Sequence, residues 1–224
     1  MQLASHGMGA AAAIAMSGID IALWDIRGKV LGWPLYRILG GTRQEIQAYA
    51  GGVSLGFQKT DSLVDEIHSL KQLGHQAIKL RIGDRPDLDL ERVKAVRKTF
   101  GNDLKILTDV NTAYSLEDAR KVMPVLESEG VGWIEEPFPA HDYRSYSIAS
   151  KFSTLPIAAG ENHYTRFEYI KLIEEGVVQI LQPDISKTGG MTEAIRISAM
   201  ASAWKLPINP HSSMTGLNMA ATIH

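Results

Sequence analysis

Six apolar runs in this chain end in charged or hydrogen-bonding side chains, and the ends recur at a near-constant interval. Ala77-Ile78-Lys79-Leu80-Arg81 closes with two cations on one face, since alternate residues of a strand point the same way. Ile106-Leu107-Thr108-Asp109 closes with one carboxylate, Trp133-Ile134-Glu135-Glu136-Pro137 with two, and Ala158-Ala159-Gly160-Glu161-Asn162 with Glu161. Leu181-Gln182-Pro183-Asp184 and Ile208-Asn209-Pro210-His211 complete the series. From Lys79 the successive separations are 30, 26, 26, 23 and 27 residues, about one strand-plus-helix unit each.

Two kinds of chemistry follow from these residue types. Asp109, Glu135 and Glu161 on adjacent strands make a hard, all-oxygen donor set. Such a set suits Mg²⁺, with water or substrate oxygens completing its octahedron. Without a cation, three buried carboxylates repel one another and raise one another's pKa. The competing structural reading is that these acids cap helices or pair with Lys79 and Arg81. Asp184 and His211 end neighbouring strands and can hydrogen-bond. A carboxylate behind an imidazole fixes its tautomer and stabilises the imidazolium, which makes a competent acid or base near neutral pH. His163, two residues past Glu161, is a candidate to line the same end. His68 and His75 lie on or after a helix pattern, His141 in a loop and His224 at the last position. Lys187 precedes Gly189-Gly190, where a helix N-terminus can hold an anion, with packing or solvation as the alternative.

The elements that must position these groups alternate along the chain. Strand patterns occupy 46–51, 77–82, 105–110, 132–135, 156–160, 177–182 and 206–210. Between them stand helical patterns such as residues 62–70, apolar at 63, 64, 67 and 70, with 90–96 and 116–126 reading the same way. Ser115 is placed to cap the helix that begins Leu116-Glu117-Asp118. Gly74, Gly101, Gly130 and Gly176 each follow a helix pattern, where a left-handed residue ends the helix. Seven strands alternating with helices predict an α/β fold with a parallel sheet, and this many units favour a closed TIM-type barrel with the polar groups at one mouth. A doubly wound sheet is the alternative. It would offer a glycine-rich phosphate loop opening a helix, and Gly51-Gly52-Val53-Ser54-Leu55-Gly56 leads promptly into none. Residues 1–45 read as a separate segment, helical over 14–39 and stopping at Leu39-Gly40-Gly41-Thr42. Residues 46–224 read as the barrel.

Composition excludes several function classes. The 224 residues are 45% hydrophobic and 21% charged, a globular balance. A net charge of -2 argues against nucleic acid or an anionic membrane as partner. With no Cys there is no disulfide framework, thiol nucleophile or thiolate zinc site. The longest apolar run, residues 8–19, is shorter than the roughly 20 residues of a membrane span and lacks the basic flank of a signal peptide. The chain reads as a cytoplasmic metabolic enzyme.

The motifs together resemble the enolase superfamily, specifically its mandelate racemase group. They are Ser17-Gly18-Ile19-Asp20-Ile21-Ala22-Leu23-Trp24-Asp25, Lys79-Leu80-Arg81, Asp109-Val110-Asn111, Ile134-Glu135-Glu136-Pro137, Gly160-Glu161-Asn162, Pro183-Asp184 through Lys187-Thr188-Gly189-Gly190, and His211. The resemblance implies a modified (β/α)7β barrel whose Mg²⁺ ligands match Asp109, Glu135 and Glu161, with Glu136 as support. It implies a His211–Asp184 dyad for acid–base work, and Lys79, Asn111 and His211 on a small-molecule carboxylate substrate. Removal of a proton α to a carboxylate then proceeds through an enediolate stabilised by the metal and nearby cations. Homo-oligomerisation is implied by the resemblance alone.

Two departures from the family pattern shape the expected activity. Where the family's commonest second-strand motif places a second, catalytic Lys, this chain has Arg81, which is effectively always protonated and a poor base. That favours dehydration of a sugar acid to a 2-keto-3-deoxy acid over racemisation, which needs a base on each face. The alternatives are an epimerase, racemase or lactone cycloisomerase using the same enediolate, or a non-catalytic remnant that binds Mg²⁺. The second departure is length. Most of an N-terminal α+β capping domain, the eighth strand and an acidic residue near it are expected to be missing, which would leave the mouth open to water and weaken catalysis.

Overall fold

Two-residue alternation builds β2 (Ala77–Arg81). Ile78 and Leu80 are fully buried on one side, while Lys79 and Arg81 share the other. This computed structural model describes residues 9–52, 55–213 and 215–224. Met8, Val53 and Ser54, which belong to runs singled out above, lie outside them. The chain folds into two compact units, Ile46–Ala158 and Met1–Glu45 with Ala159–His224.

In the first unit, β1 (Ala50–Gly51), β2, β3 (Lys105–Asp109), β4 (Ile134–Glu135) and the start of β5 (Ile157–Ala159) pair parallel in chain order. The register sets Arg81 opposite Asp109, Asp109 opposite Glu135, and Glu135 opposite Ala158. Parallel neighbours need a long crossover, and helices supply it: α3 (Thr60–Gln72), α4 (Pro86–Phe100), α5 (Leu116–Ser128) and α6 (Tyr143–Ala149). Each buries an apolar stripe, Leu63 and Ile67 from α3, Val93 and Val96 from α4, and Val122, Met123 and Leu126 from α5. Each such side chain contributes about 1.5–3 kcal/mol of transfer free energy. Helix α5 starts as its sequence predicts. The Ser115 hydroxyl accepts from Asp118 N at 3.2 Å, and Asp118 Oδ2 accepts from Ser115 N at 3.1 Å. Gly74, Gly101 and Gly130 all have positive φ at the ends of their helices.

The second unit holds α1 (Ala10–Leu31), α2 (Leu35–Ile38), α7 (Thr165–Glu174), β6 (Ile180–Leu181), α8 (Gly190–Ala203) and α9 (Gly216–Ile223). Gln182 N donates to Ala159 O at 3.0 Å, which extends parallel pairing from β5 to the end of β6. Gly160 permits this approach, because a Cβ there would stand 2.7 Å from Gln182 N. Helix α1 lies on α8 through small residues: the Ser17 hydroxyl accepts from Gly189 N at 2.9 Å and donates to Ala13 O at 2.8 Å. Among the described residues no helix is long and apolar enough to cross a membrane.

Several expected strands are shorter than their sequence patterns, and the seventh is not formed as a strand among the described residues. Over 206–210 only two parallel bridges form nearby, Leu181 with Ile208 and Asp184 with His211. Pro207 and Pro210 carry no N–H, so a continuous ladder cannot run through them. The bridge at His211 nevertheless places it directly beside Asp184.

Candidate active site

In the 46–158 unit, four of the expected residues meet at the ends of β2, β3 and β4. Lys79 Nζ lies 2.7 Å from Glu135 Oε1 and 3.0 Å from Asp109 Oδ2. Burial alone would lower the ammonium pKa, but the charges of Glu135 and Asp109 outweigh it and hold the pKa well above the ordinary lysine value. Arg81 Nη1 stands 3.0 Å from Asp109 Oδ1, an ion pair in geometry rather than an aligned hydrogen bond. The acids thus pair with Lys79 and Arg81, as the competing reading of the sequence anticipated, while occupying the strand ends that the catalytic reading requires.

The loops that follow are bent sharply. Asn111, Thr112 and Glu136 adopt left-handed backbone conformations with φ of 48°, 65° and 38°, a strain that side chains other than Gly seldom accept. Asn111 N donates to Asp109 Oδ1 at 3.0 Å, and Thr112 N donates to Glu136 O at 2.7 Å. Asn111 therefore orients Asp109 through its backbone while the residue itself is exposed.

In the other unit, His211 stands between two carboxylates. Its Nδ1 is 2.7 Å from Asp184 Oδ2 and its Nε2 is 2.7 Å from Glu161 Oε2. Burial would depress the imidazole, yet hydrogen bonds to Asp184 and Glu161, with their charges, push its pKa up to about 9. Burial likewise tends to raise Asp184, but bonds from His211 and Ser186 hold it below the usual carboxylate range. Lys187 Nζ approaches Glu161 Oε1 at 3.4 Å. His163 is buried and meets Tyr169 edge-on, with ring centroids 6.0 Å apart.

Several supporting residues were not anticipated. Asn218 Nδ2, from α9, donates to Asp184 Oδ1 at 3.1 Å, and Ser186 donates to the same oxygen through N at 2.7 Å and Oγ at 2.6 Å. Trp133 Nε1 donates to Glu135 Oε2 at 3.3 Å, and Tyr49 lies with its ring centroid 5.6 Å from Lys79 Nζ. Trp133 was findable, being two residues before Glu135 on the same face; Asn218 and Tyr49 carry no comparable signal. The N-terminus of α8 near Lys187 is already filled. Thr192 N and Oγ1 donate to Asp20 at 2.9 and 2.6 Å, and a side chain at Gly190 would collide with that carboxylate. Asp20, from the first motif of the chain, takes the place of an external anion.

Asp109 and Glu135 are hard oxygen donors of the kind a divalent cation takes. Within the 46–158 unit two carboxylates opposite each other in register share one ammonium, so a positive charge already stands between them. Within neither unit do three Asp, Glu or His side chains among the described residues form a ready metal-holding group. Asp109 and Glu135 are engaged by Lys79, and Glu161 by His211 and Lys187.

Residues 62–224 match the family described as Enolase C-terminal domain-like, and residues 1–40 match the N-terminal domain of the mandelate racemase / muconate lactonizing enzyme family. The α/β fold with parallel strands is thus of the TIM-barrel-like class expected from the alternation. Arabinonate dehydratase of Saccharolobus solfataricus is 36% identical over 93% of this chain, which spans 57% of that relative's length. A member of the enolase superfamily from Polaromonas sp. JS666 matches 99% of the chain at 57% identity and a TM-score of 0.96, covering 59% of that structure. The 3,6-anhydro-D-galactonate cycloisomerase of Zobellia galactanivorans gives 33% identity and a TM-score of 0.91 over 98% of this chain and 62% of its own. L-Talarate dehydratase from Polaromonas sp. JS666, crystallised with Mg and L-glucarate, gives 30% identity and 0.86 over 98% and 62%.

Proposed function

This chain belongs to the mandelate racemase and muconate lactonizing enzyme family of the enolase superfamily, and from that premise we propose that it is a Mg²⁺-dependent lyase that dehydrates a sugar acid to a 2-keto-3-deoxy acid. Asp109, Glu135 and Glu161 would hold the ion. The chemistry it supplies when bound is Lewis-acid stabilisation of the substrate carboxylate as negative charge develops on it. Lys79 adds a fixed positive charge to that carboxylate, and Asn111 is positioned beside Asp109 to contact substrate. His211, oriented by Asp184, would take the proton from C2 in its neutral form, once its Nε2 has given up its proton and left Glu161. It then returns a proton to the C3 hydroxyl as the C3–O bond breaks. Water leaves, and the enol product tautomerises to the ketone.

The observation that carries this reading is the contrast between two cationic groups, one at a strand end of each unit. Arg81 is committed to Asp109 at 3.0 Å and never gives up its proton, whereas His211 is backed by Asp184 at 2.7 Å and can exchange one. One exchangeable group suits dehydration, in which a single residue serves as base and then as acid. Supporting it, relatives are named as dehydratases of arabinonate and talarate. A second reading, cycloisomerisation or epimerisation through the same enediolate, is supported by the likeness to the anhydro-galactonate cycloisomerase.

Proton NMR of the Mg²⁺-loaded chain with a pool of aldonates and aldarates in D₂O separates the two. A keto-acid signal that chelator abolishes is the expected result. Loss of the α-proton signal without a ketone would replace dehydration with the second reading.

A further inference from the structure

Trp133 is buried at the start of the Glu135 strand end, and its surroundings pin it there. Thr108 N and Oγ1 both donate to Trp133 O, at 3.1 and 2.9 Å. Gly132 lets the chain press against β3, since a Cβ there would stand 2.8 Å from Leu107 Cδ2. Tyr49 meets the indole edge-on at 5.9 Å and 80°, and Lys105 Nζ lies 6.0 Å from its centroid. The held ring donates its one N–H to Glu135 Oε2 at 3.3 Å, while Glu135 Oε1 faces Lys79 at 2.7 Å.

We propose that Trp133 is a positioning residue that orients the Glu135 carboxylate for a divalent cation through its indole N–H. This rests on the reading of Glu135 as a Mg²⁺ ligand. A carboxylate free to rotate loses that freedom when it binds a cation, so a donor that sets the plane beforehand strengthens binding. Donors of this kind behind a ligand typically change metal affinity 10- to 100-fold.

Mn²⁺ is a suitable probe, because the free ion is counted directly by its electron paramagnetic resonance signal. Trp133→Phe keeps an aromatic ring against Tyr49 and deletes the donor together with part of the ring's volume. The expected result is Mn²⁺ affinity weakened roughly 10-fold in a chain that still unfolds cooperatively on heating. Equal affinity in a folded Trp133→Phe chain overturns the role of Trp133 and leaves the metal site standing. No Mn²⁺ binding by the unsubstituted chain overturns the metal site and this proposal together. A second measurement needs no change at Trp133. In a fluorotryptophan-labelled chain, with the other resonances assigned by replacing Trp24, Trp33 and Trp204, the Trp133 signal should shift on adding Mg²⁺ and return with chelator. A resonance that Mg²⁺ leaves in place, in a chain that binds Mn²⁺, overturns the proposal.

Discussion

Asp109 and Glu135 face each other across the β3–β4 pairing and hold a single ammonium between them, Lys79 Nζ at 3.0 and 2.7 Å. Two like charges on adjacent parallel strands are stable only with a cation present. Lys79 therefore holds the strand ends together with one charge, and under the proposed function the same charge would meet a carboxylate substrate. A divalent ion drawn to the same oxygens has to share or displace it.

Lys79→Met exposes that duality. With the ammonium gone, the metal-free chain keeps two buried carboxylates face to face, and removal of one partner from a buried ion cluster costs about 3–5 kcal/mol. Urea denaturation should show that loss without Mg²⁺ and a larger recovery on adding Mg²⁺ than the unsubstituted chain gives. Equal stability with no added response to Mg²⁺ would show that the ammonium is not what holds these acids.

The pattern at Lys79 and Arg81 was open to reading because alternation in β2 is strict: apolar Ile78 and Leu80 inward, cations opposite. Strand ends in a parallel sheet fall at one level, so the regular spacing counted from Lys79 predicted polar groups at one end of the sheet; the register sets Arg81, two residues on, opposite Asp109, and Asp109 opposite Glu135. Strand length was not legible in the same way. Apolar runs mark what is buried, and backbone pairing stops earlier wherever proline or a left-handed residue intervenes, as at Pro207, Pro210 and Glu136. Partners brought from distant helices left no local trace. Asn218 reaches Asp184 across 34 positions, and Asp20 reaches Thr192 across 172.

Glu161→Gln tests the third ligand. In this structure its oxygens face His211 and Lys187, and Gln keeps the shape while removing the charge that attracts a hard cation. Mg²⁺ affinity and turnover should fall together, measured by calorimetry and by keto-acid formation. Unchanged Mg²⁺ binding would remove Glu161 from the ligand set.

Ser115→Ala should cost about 1 kcal/mol at neutral pH, the usual worth of a helix cap. Its pH dependence follows from Asp118. The Ser115 hydroxyl, which donates to Asp118 Oδ2 at 2.6 Å, is the main reason that carboxyl sits below its ordinary pKa. A depressed carboxylate contributes stability that is present in full above its unfolded pKa and is lost as pH falls through the folded value. The gap between Ser115→Ala and the unsubstituted chain should therefore narrow on acidification below about pH 4. A gap that widens instead would assign the cap's worth to something other than the charged Asp118.

His211→Asn separates proton transfer from architecture. An Asn amide retains a donor on the Asp184 side, where Ser186 and Asn218 already satisfy the other oxygen, so the local fold should survive. The exchangeable proton of the dyad is then gone, and Arg81 on Asp109 is no substitute for it. Turnover should drop by at least about 10²-fold, the lower bound of what a positioned acid or base contributes. Mg²⁺ affinity should persist, because Asp109, Glu135 and Glu161 are untouched. Deuterium exchange at the substrate α-carbon distinguishes the step that failed: its loss together with ketone formation places His211 at proton abstraction. Retained exchange without ketone places it only at departure of the hydroxyl and requires another base. Full activity in His211→Asn would remove the dyad from the mechanism.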